Sequence, residues 1–365
     1  MPLYHQVYNI IKEYIKDGKF TADQPLPNQI ELAKQFKVSE ITMRRALTEL
    51  ANEGWVLRTR GKGTYINNHA TDGKNTARDI RPFTLKQIYL AFQMNTLIFM
   101  DQRFQSDLIS GIHDFCEQYG IRFRLWEIDG DEKLPIDEHT GIILMPQYHM
   151  SIQQLQTWKE TTSRLITVHV YFPHLHIPYI ISDNLTGGYS ATQHLISLGH
   201  RRIGIILSGN STLDLNQDFS FRLQGYRLAL DHNKLEFDES MVSVVQGDQE
   251  LESMGKEGTE QLFALENPPT AVFATSDLKA FGCIRALRDK GIRVPEDVSV
   301  VGYDDMKVSQ YISPALTTID QNSYQMGWRA CEVLTFEWDE GWRKAQYKDE
   351  IVPKLIVRES TGPRS

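Results

Sequence analysis

Beyond about residue 85, short apolar runs alternate with segments of helical periodicity, and this alternation continues to about residue 360. The apolar runs predict strands with the sequences IYLAF, FRLWEI, GIILMP, LITVHV, YIIS, IGIIL, VSVV, AVFAT, VSVVGY and KLIVRE. Strands that alternate with helices form parallel sheets covered by helices on both faces. About 280 residues exceed what one hydrophobic core supports, so the pattern predicts two α/β lobes. A ligand-binding cleft is expected at the carboxyl ends of their strands.

The first 66 residues carry three helical patterns. The first ends near Asp17-Gly18, and its apolar stripe comprises Leu3, Val7, Ile10, Ile11, Tyr14 and Ile15. Asn28 and Glu31 form a variant capping box that opens a second, short helix. Val38-Ser39 makes a turn and the N-cap of a third helix, which ends near Gly54. Two short helices joined by a tight turn predict a helix-turn-helix.

A basic hairpin follows the third helix. Trp55-Val56-Leu57 and Thr64-Tyr65-Ile66 predict two strands around the tip RTRGKG, whose glycines and cations suit a sugar-phosphate edge. The third helix exposes side chains that can reach base edges and phosphates in a major groove: Thr42, Arg44, Arg45 and Thr48. Three-helix units also serve as protein-docking modules, and charged helix faces are usually only solvated. On these residues alone, both interpretations stay open.

Charge is unevenly distributed along the chain. The net charge is −8, yet residues 1–70 contain 10 Lys+Arg and 7 Asp+Glu, about +3, which leaves about −11 for the rest. An acidic body repels nucleic acid unless a basic head presents its own face. The distribution is compatible with DNA binding by the head.

Residues 3–66, with the run PLPNQIELAKQFKVSEITMRRALTELANEGWVLRTRGKGTYI, resemble the winged helix of the GntR family of bacterial transcription regulators. The resemblance implies a winged helix-turn-helix with these operator contacts: Gln29, Ser39, Glu40, Thr42, Arg44, Arg45, Arg60, Lys62, Gly63 and Thr64. Two triplets depart from the family pattern, Pro27-Asn28-Gln29 and Val38-Ser39-Glu40. Glu40 would repel phosphate but can accept from a cytosine amino group, so the operator sequence cannot be copied from relatives.

Other sequence features argue against an exported or catalytic protein. No run of 18 apolar residues occurs and the first residues lack a secretory pattern, so we expect a cytoplasmic protein without membrane attachment. The three cysteines form no CxxC and are expected to be reduced. Gly61-Lys62-Gly63-Thr64 lacks the spacing of a P-loop, and no HExxH, GxSxG or GxGxxG motif occurs. The sequence predicts no catalytic residue, no metal and no cofactor.

Polar residues follow several of the predicted strands in the body: Asp183-Asn184, Asp277, Asp304-Asp305 and Gln321, with Arg222 entering a helix. N-capping of helices is the alternative role for each of them. Several segments resemble the LacI-type effector domain, which is related to periplasmic sugar-binding proteins: SDNLTGGYSATQHLISLGHRRIGIILSG, FRLQGYRLAL, PPTAVFATSDLKAFGCIRALRDKGIRVPEDVSVVGYDD and SPALTTIDQNSYQMG.

This second resemblance implies that Asp183, Arg222, Asp277 and Gln321 line a sugar cleft. An arginine fork and carboxylates can bond adjacent sugar hydroxyls, and an aromatic ring can cover the apolar face of a sugar. Phe104 is the candidate aromatic platform, with an ordinary core position as the alternative. His169 and Gln249 stand at or near positions where relatives carry an aspartate or an aromatic residue, so both are included as candidate effector contacts.

The sequence therefore predicts an α/β multidomain protein, similar to the arabinose repressors. We expect a DNA-binding domain at 1–67, a polar linker at 68–84 and a sensing and dimerisation domain at 85–365. The expected function is a homodimeric repressor on double-stranded operator DNA, released by a monosaccharide such as L-arabinose or L-fucose. A sugar-binding transport component and a sugar-modifying enzyme are the alternatives.

Overall fold

The computed structural model describes residues 3–20, 26–27, 29–36, 38, 42–43, 46–47, 50, 55–59, 63–66, 85–92, 102–128, 137, 139–146, 150–162, 164–247, 251–337 and 348–364. The chain divides into two units, residues 1–82 and 83–365, which we call the head and the body. No helix among the described residues is long and apolar enough to cross a membrane.

The head is built from helices and one antiparallel ribbon. Helix α1 spans Leu3–Lys16 and α2 spans Gln29–Phe36, while residues 42–43, 46–47 and 50 are also helical. Strands β1 (Val56–Thr59) and β2 (Gly63–Ile66) pair antiparallel, with Thr59 opposite Gly63. One hydrophobic core joins the helices to the ribbon: Val7, Tyr8, Ile11, Ile15, Leu26, Leu32, Ala33, Met43, Ala46, Leu47, Leu50, Val56 and Ile66.

The apolar face of α1 differs from the predicted stripe. Ile10 is 39% exposed, whereas Tyr8 is only 3% exposed and belongs to the core. Tyr8 was not predicted because its neighbours Val7 and Ile11 already define a stripe, and periodicity alone does not show how wide the buried face is. The ammonium of Lys12 covers the rings of both Tyr8 and Trp55, at 5.1 and 4.8 Å from their centroids.

The first lobe of the body contains six parallel strands: Gln87–Phe92 (β3), Arg122–Glu127 (β4), Thr140–Met145 (β5), Leu165–Val168 (β6), Tyr179–Ser182 (β7) and Lys348–Ile351 (β14). Their order in the sheet is β14-β7-β6-β5-β3-β4. Helices α3 (Gln102–Tyr119), α4 (Ile152–Thr161) and α9 (Ser323–Glu332) cover this sheet.

The second lobe contains four parallel strands: β8 (Ile203–Ser211), β10 (Val242–Val245), β11 (Ala271–Ala274) and β12 (Ser299–Val301). Their order in the sheet is β10-β8-β11-β12, and the short β9 (Asp214–Leu215) pairs antiparallel with β8. The helices of this lobe are α5 (Asn184–Ser197), α6 (Gln217–His232), α7 (Glu252–Leu262) and α8 (Asp277–Asp289).

The chain passes between the lobes three times: after β7, after strand β13 (Thr318–Asp320) and after β14. Strand β15 (Lys354–Ile356) pairs antiparallel with β13. Two α/β lobes with parallel sheets confirm the predicted fold class. The sequence patterns did not predict helix α4, helix α9 or strand β14. Strand β14 was missed because it has the mostly polar sequence KDEI and lies at the edge of its sheet.

The three cysteines are unpaired and buried, as the sequence predicted. Burial raises the pKa of Cys283 to about 12, so its thiol stays protonated.

Candidate effector cleft and DNA-binding surface

The structure provides the scaffold for the predicted DNA-binding residues. Gln29 is the first residue of α2, Thr42 is a partly exposed residue of the third helical segment, and Gly63 and Thr64 begin β2. The amide of Leu26 donates to the Thr64 carbonyl at 2.6 Å, which ties the entry of α2 to the ribbon. The remaining predicted contacts lie outside the described residues: Ser39, Glu40, Arg44, Arg45, Arg60 and Lys62.

In the body, Arg222 is the centre of a buried polar cluster. It lies on α6 and is 3% exposed. Its Nε donates to Asn184 Oδ1 at 2.8 Å, and its Nη1 donates to the Thr275 carbonyl at 2.6 Å. The guanidinium carbon lies 3.6 Å from the centroid of the Tyr303 ring. Fixed by two hydrogen bonds and an aromatic face, the guanidinium has a single orientation.

Two carboxylates lie near the Nη2 edge of this guanidinium plane. The Nη2 atom lies 3.7 Å from Asp218 Oδ2 and 3.9 Å from Asp304 Oδ1, which are ion-pair distances rather than direct hydrogen bonds. Asn184 Nδ2 donates to Asp218 Oδ1 at 3.0 Å, and Gln321 Nε2 donates to Asp304 Oδ1 at 2.7 Å. The Gln321 Oε1 atom is buried and has no hydrogen-bond partner within the described part of the chain. A ligand hydroxyl is the group that would satisfy such an acceptor.

Phe104 and His169 come from the first lobe. Phe104 is 4% exposed and packs in the hydrophobic core, the alternative considered above, while His169 lies beside the polar cluster. Phe104 lies in the first turn of α3, His169 follows β6, and their ring centroids are 5.2 Å apart. His169 Nδ1 is 3.7 Å from Asp218 Oδ2, so the pair joins the two lobes. Burial lowers the pKa of His169, and the Arg222 charge adds to this effect, while Asp218 opposes it. The neutral imidazole carries one donor and one acceptor, so it can either donate to or accept from a ligand hydroxyl.

Asp183 and Asp277 are both engaged by protein donors. Asp183 is the N-cap of α5 and accepts from the Thr186 amide at 3.0 Å and from the Thr186 hydroxyl at 2.7 Å. Capping, the alternative considered above, is thus one role of Asp183. Ser276, not Asp277, caps α8.

Asp277 is fully buried in the second lobe. Its carboxylate accepts from the Met306 amide at 2.7 Å and from the hydroxyls of Ser309 and Thr318, each at 2.5 Å. Burial raises its pKa to about 7, although these three donors act in the opposite direction. Contact of Asp183 or Asp277 with an effector stays a prediction, and Gln249 lies outside the described residues.

Three cluster residues were not among the predicted effector contacts: Asn184, Asp218 and Asp304. Asn184 and Asp304 were recognised only as polar residues after strands. Asp218 lies four positions before Arg222 on α6, and this spacing, which places two side chains on one helix face, was the signal that could have identified it.

Acid should destabilise the body through buried histidines. His200 Nδ1 lies 3.0 Å from Thr270 Oγ1, and its Nε2 lies 3.0 Å from Ser299 Oγ and 3.2 Å from the Gly362 carbonyl. Burial lowers the pKa of His200, as it does for His169 and His194.

The unfolded chain takes up protons below the ordinary histidine pKa of about 6.5, whereas the folded chain resists them. The histidine contribution is therefore fully present above that pH and is lost as the pH falls. We expect His200→Asn to make the free energy of unfolding less dependent on pH between 7 and 5, by at most about 1.4 kcal/mol per pH unit. Urea unfolding at pH 7, 6 and 5 measures this. If the free energy of unfolding depends on pH equally in wild type and variant, the prediction is wrong. Asp277, whose pKa is also shifted, is present in both proteins and does not affect this comparison.

Comparison with known proteins agrees with this geometry. Residues 3–66 match the gntR family of bacterial regulatory proteins, and residues 192–361 match the periplasmic binding protein-like domain. The chain is 32% identical over 267 residues to the HTH-type transcriptional repressor PurR of Haemophilus influenzae (strain PittEE), covering 70% of this chain and 76% of that protein.

This chain is also similar to one relative over nearly its whole length and to one solved structure over about three quarters of its length. The arabinose metabolism transcriptional repressor of Geobacillus stearothermophilus is 25% identical over an alignment of 378 positions, gaps included, which covers 99% of this chain and 98% of that one. The crystal structure of a LacI family transcriptional regulator from Enterococcus faecium with bound ribose has a TM-score of 0.60 and 25% identity, covering 77% of this chain and 100% of that one.

A helix-turn-helix head followed by a two-lobed body with a buried polar cluster defines a DNA-binding transcription regulator with a sensing domain. The chain belongs to the bacterial regulators that join a gntR-family head to a LacI-like, periplasmic binding protein-like body. Both predicted resemblances are confirmed.

Proposed function

We propose that this regulator represses carbohydrate-utilisation genes and leaves its operator when a monosaccharide such as L-arabinose or L-fucose enters the interlobe cleft. The observation that carries the proposal is the fixed guanidinium of Arg222 between the carboxylates of Asp218 and Asp304. A guanidinium between two carboxylates places charged donors next to charged acceptors. Such an arrangement can bond several neighbouring hydroxyls of one sugar ring at the same time.

The other cleft residues fit the same class of ligand. Gln321 Oε1 supplies an acceptor, and the rings of Phe104 and His169 supply an apolar surface for the C–H face of a sugar. The proposed effector-site residues are Phe104, His169, Asp183, Arg222, Gln249, Asp277 and Gln321, joined by Asn184, Asp218 and Asp304. Asp277 would act indirectly, through the Met306 and Thr318 segments that it holds. The similarity to an arabinose repressor over nearly the whole chain, and the ribose in a related structure, support a small sugar.

The remaining features of the function are proposed from the head. A homodimer would bind a near-palindromic operator through two heads, because one winged helix makes too few base contacts for specificity. We propose the boundaries 1–67, 68–84 and 85–365 for the head, linker and body. A repressor of this kind acts in the cytoplasm and needs no catalytic activity.

The test combines ligand screening with an operator assay. Thermal-shift screening of the full chain against monosaccharides and disaccharides should find one that stabilises it, by about 2.7 kcal/mol at 100 times the dissociation constant. That sugar should then lower the affinity for a duplex from the regulator's own promoter in a gel shift. A regulator that binds this duplex equally with and without every stabilising sugar would contradict the proposal.

Arg44→Ala should weaken binding to the operator while leaving sugar binding unchanged. Loss of a base contact of this kind removes about 1–3 kcal/mol per site and should affect the operator more than a scrambled duplex. Fluorescence anisotropy at one fixed salt concentration measures both affinities. Lys256→Ala is the control, because Lys256 lies on the surface of α7 in the body, where it pairs with Glu260. Equal losses on both duplexes would show that Arg44 contacts phosphate rather than bases.

A further inference from the structure

The carboxylate of Asp305 lies between two arginines that belong to different parts of the body. Arg103, in the first turn of α3, donates from Nη1 to the Asp305 carbonyl at 3.0 Å and also to its Oδ2. Arg358, just after β15, donates from Nη2 to Asp305 Oδ1 at 2.6 Å and from Nη1 to the Leu316 carbonyl at 2.8 Å. We call these three residues the lobe bridge, because α3 belongs to the first lobe and Asp305 follows β12 of the second.

The lobe bridge is one peptide bond away from the candidate sugar site. Asp304, the neighbour of Asp305, directs its carboxylate to Gln321 and Arg222. Both aspartates have left-handed backbone conformations, with φ of 109° at Asp304 and 52° at Asp305. Such conformations persist only where surrounding contacts hold them. Arg103 therefore helps to fix the backbone that presents Asp304.

Other contacts between the lobes lie at the end of β6. Tyr171 and Gln217 exchange two hydrogen bonds, in which the Tyr171 amide donates at 3.3 Å and Gln217 Nε2 donates at 2.7 Å. His169 approaches Asp218 in the same region, but a buried imidazole with a lowered pKa carries little charge. Among these cross-lobe contacts, the lobe bridge alone joins a permanently charged guanidinium to a carboxylate.

We propose that Arg103 is a positioning residue for effector binding: it holds Asp304 in its ligand-facing orientation and keeps the lobes together around the bound sugar. This inference deepens the proposed function and rests on it. The main consequence is kinetic, because a contact that must break before the cleft opens slows dissociation of the effector.

Because the lobe bridge is partly exposed, the rate of effector dissociation should depend on salt concentration. Asp305 is 2% exposed, but the Arg103 side chain is 32% exposed, so solvent ions reach one side of the pair. Salt weakens such partly exposed ion pairs. Dissociation of the effector should therefore accelerate as salt concentration rises, and this acceleration should disappear when Arg103 loses its charge.

The test uses the full-length protein and L-arabinose, with L-fucose as the second probe. Stopped-flow measurement of sugar dissociation at 50 and 500 mM salt should show about 10-fold faster release from Arg103→Gln at the lower salt. The variant should also lose the salt dependence of the wild type. Arg103→Lys, which keeps the charge but not the planar guanidinium, should release the sugar more slowly than Arg103→Gln and should regain part of the salt dependence. Arg293→Gln is the matched control, because Arg293 is an exposed arginine that pairs with Asp297 within the second lobe.

Amide hydrogen exchange, measured without sugar, tests the role of Arg103 independently of which effector the protein binds. The Asp304 amide donates to the Ile319 carbonyl and the Met306 amide donates to Asp277, each at 2.7 Å. Hydrogen exchange at these amides should be faster in Arg103→Gln than in wild type or Arg293→Gln. If neither sugar binds the wild type, the proposed effectors are wrong, and exchange still decides the role of Arg103. Unchanged exchange, or wild-type dissociation and salt dependence in Arg103→Gln, would overturn the proposal.

Discussion

Arg222→Lys is expected to lower the affinity of the body for its sugar by about 100-fold, which corresponds to about 2.7 kcal/mol. The lysine ammonium is a single point charge and cannot bond Asn184 and the Thr275 carbonyl while also facing Asp218 and Asp304. Isothermal titration with L-arabinose or the sugar found by screening measures the loss. Operator binding without sugar should be unchanged, so the variant should behave as a repressor that no longer responds.

Arg227→Lys is the control for this prediction, because Arg227 is an exposed residue on the same helix and stacks on the Phe237 ring at 4.4 Å. Thermal unfolding of both variants shows whether the fold survives. Sugar affinity in Arg222→Lys equal to that of the wild type would mean that the buried cluster does not bind the effector.

Gly188→Ala is expected to destabilise the body by about 3 kcal/mol, at the upper end of the range for overpacking. Helices α5 and α6 meet in direct backbone contact at two glycines. A Cβ on Gly188 would lie 2.2 Å from the Arg222 carbonyl oxygen, and a Cβ on Gly225 would lie 2.2 Å from the Leu185 carbonyl oxygen. Backbone atoms cannot rotate away as a flexible side chain can, so the helices must separate. Because the clash falls on Arg222, sugar affinity should also fall.

Urea unfolding of the full chain measures this loss of stability. The matched control is Gly362→Ala, in which the new methyl group would meet the Pro295 side chain at an ordinary 3.5 Å. The same small loss in both variants would contradict a tight crossing of α5 and α6.

The architecture could be predicted from the sequence because its signals are local. Apolar runs such as IGIIL and AVFAT are short, and helical patterns separate them, so a parallel α/β body follows directly. Local signals do not show where neighbouring elements lie. For this reason α1 was predicted with Ile10 inward and without Tyr8, since only packing against the rest of the head decides which edge of the stripe is covered.

The candidate site could be predicted only in part. Arg222 and Gln321 were identified, and the structure brings them together with Asp304. Asn184, Asp218 and Asp304 come from three separate elements, and their proximity depends on the tight approach of α5 to α6 and on two left-handed residues after β12. A sequence shows that an aspartate follows a strand, but it does not distinguish a helix cap such as Asp183 from a carboxylate that faces a cleft.

The path of the chain through the lobes limits how such a protein can be rearranged. The head is one continuous stretch, residues 1–82, whereas each lobe of the body is assembled from separate stretches because the chain passes between them three times. A single recombination breakpoint near residue 83 can exchange the whole DNA reader, but no single breakpoint within the body yields an intact lobe. Gene fusion at this point can bring in a new operator with a new head or a new inducer with a new body, but it cannot replace one lobe of the sensing domain alone.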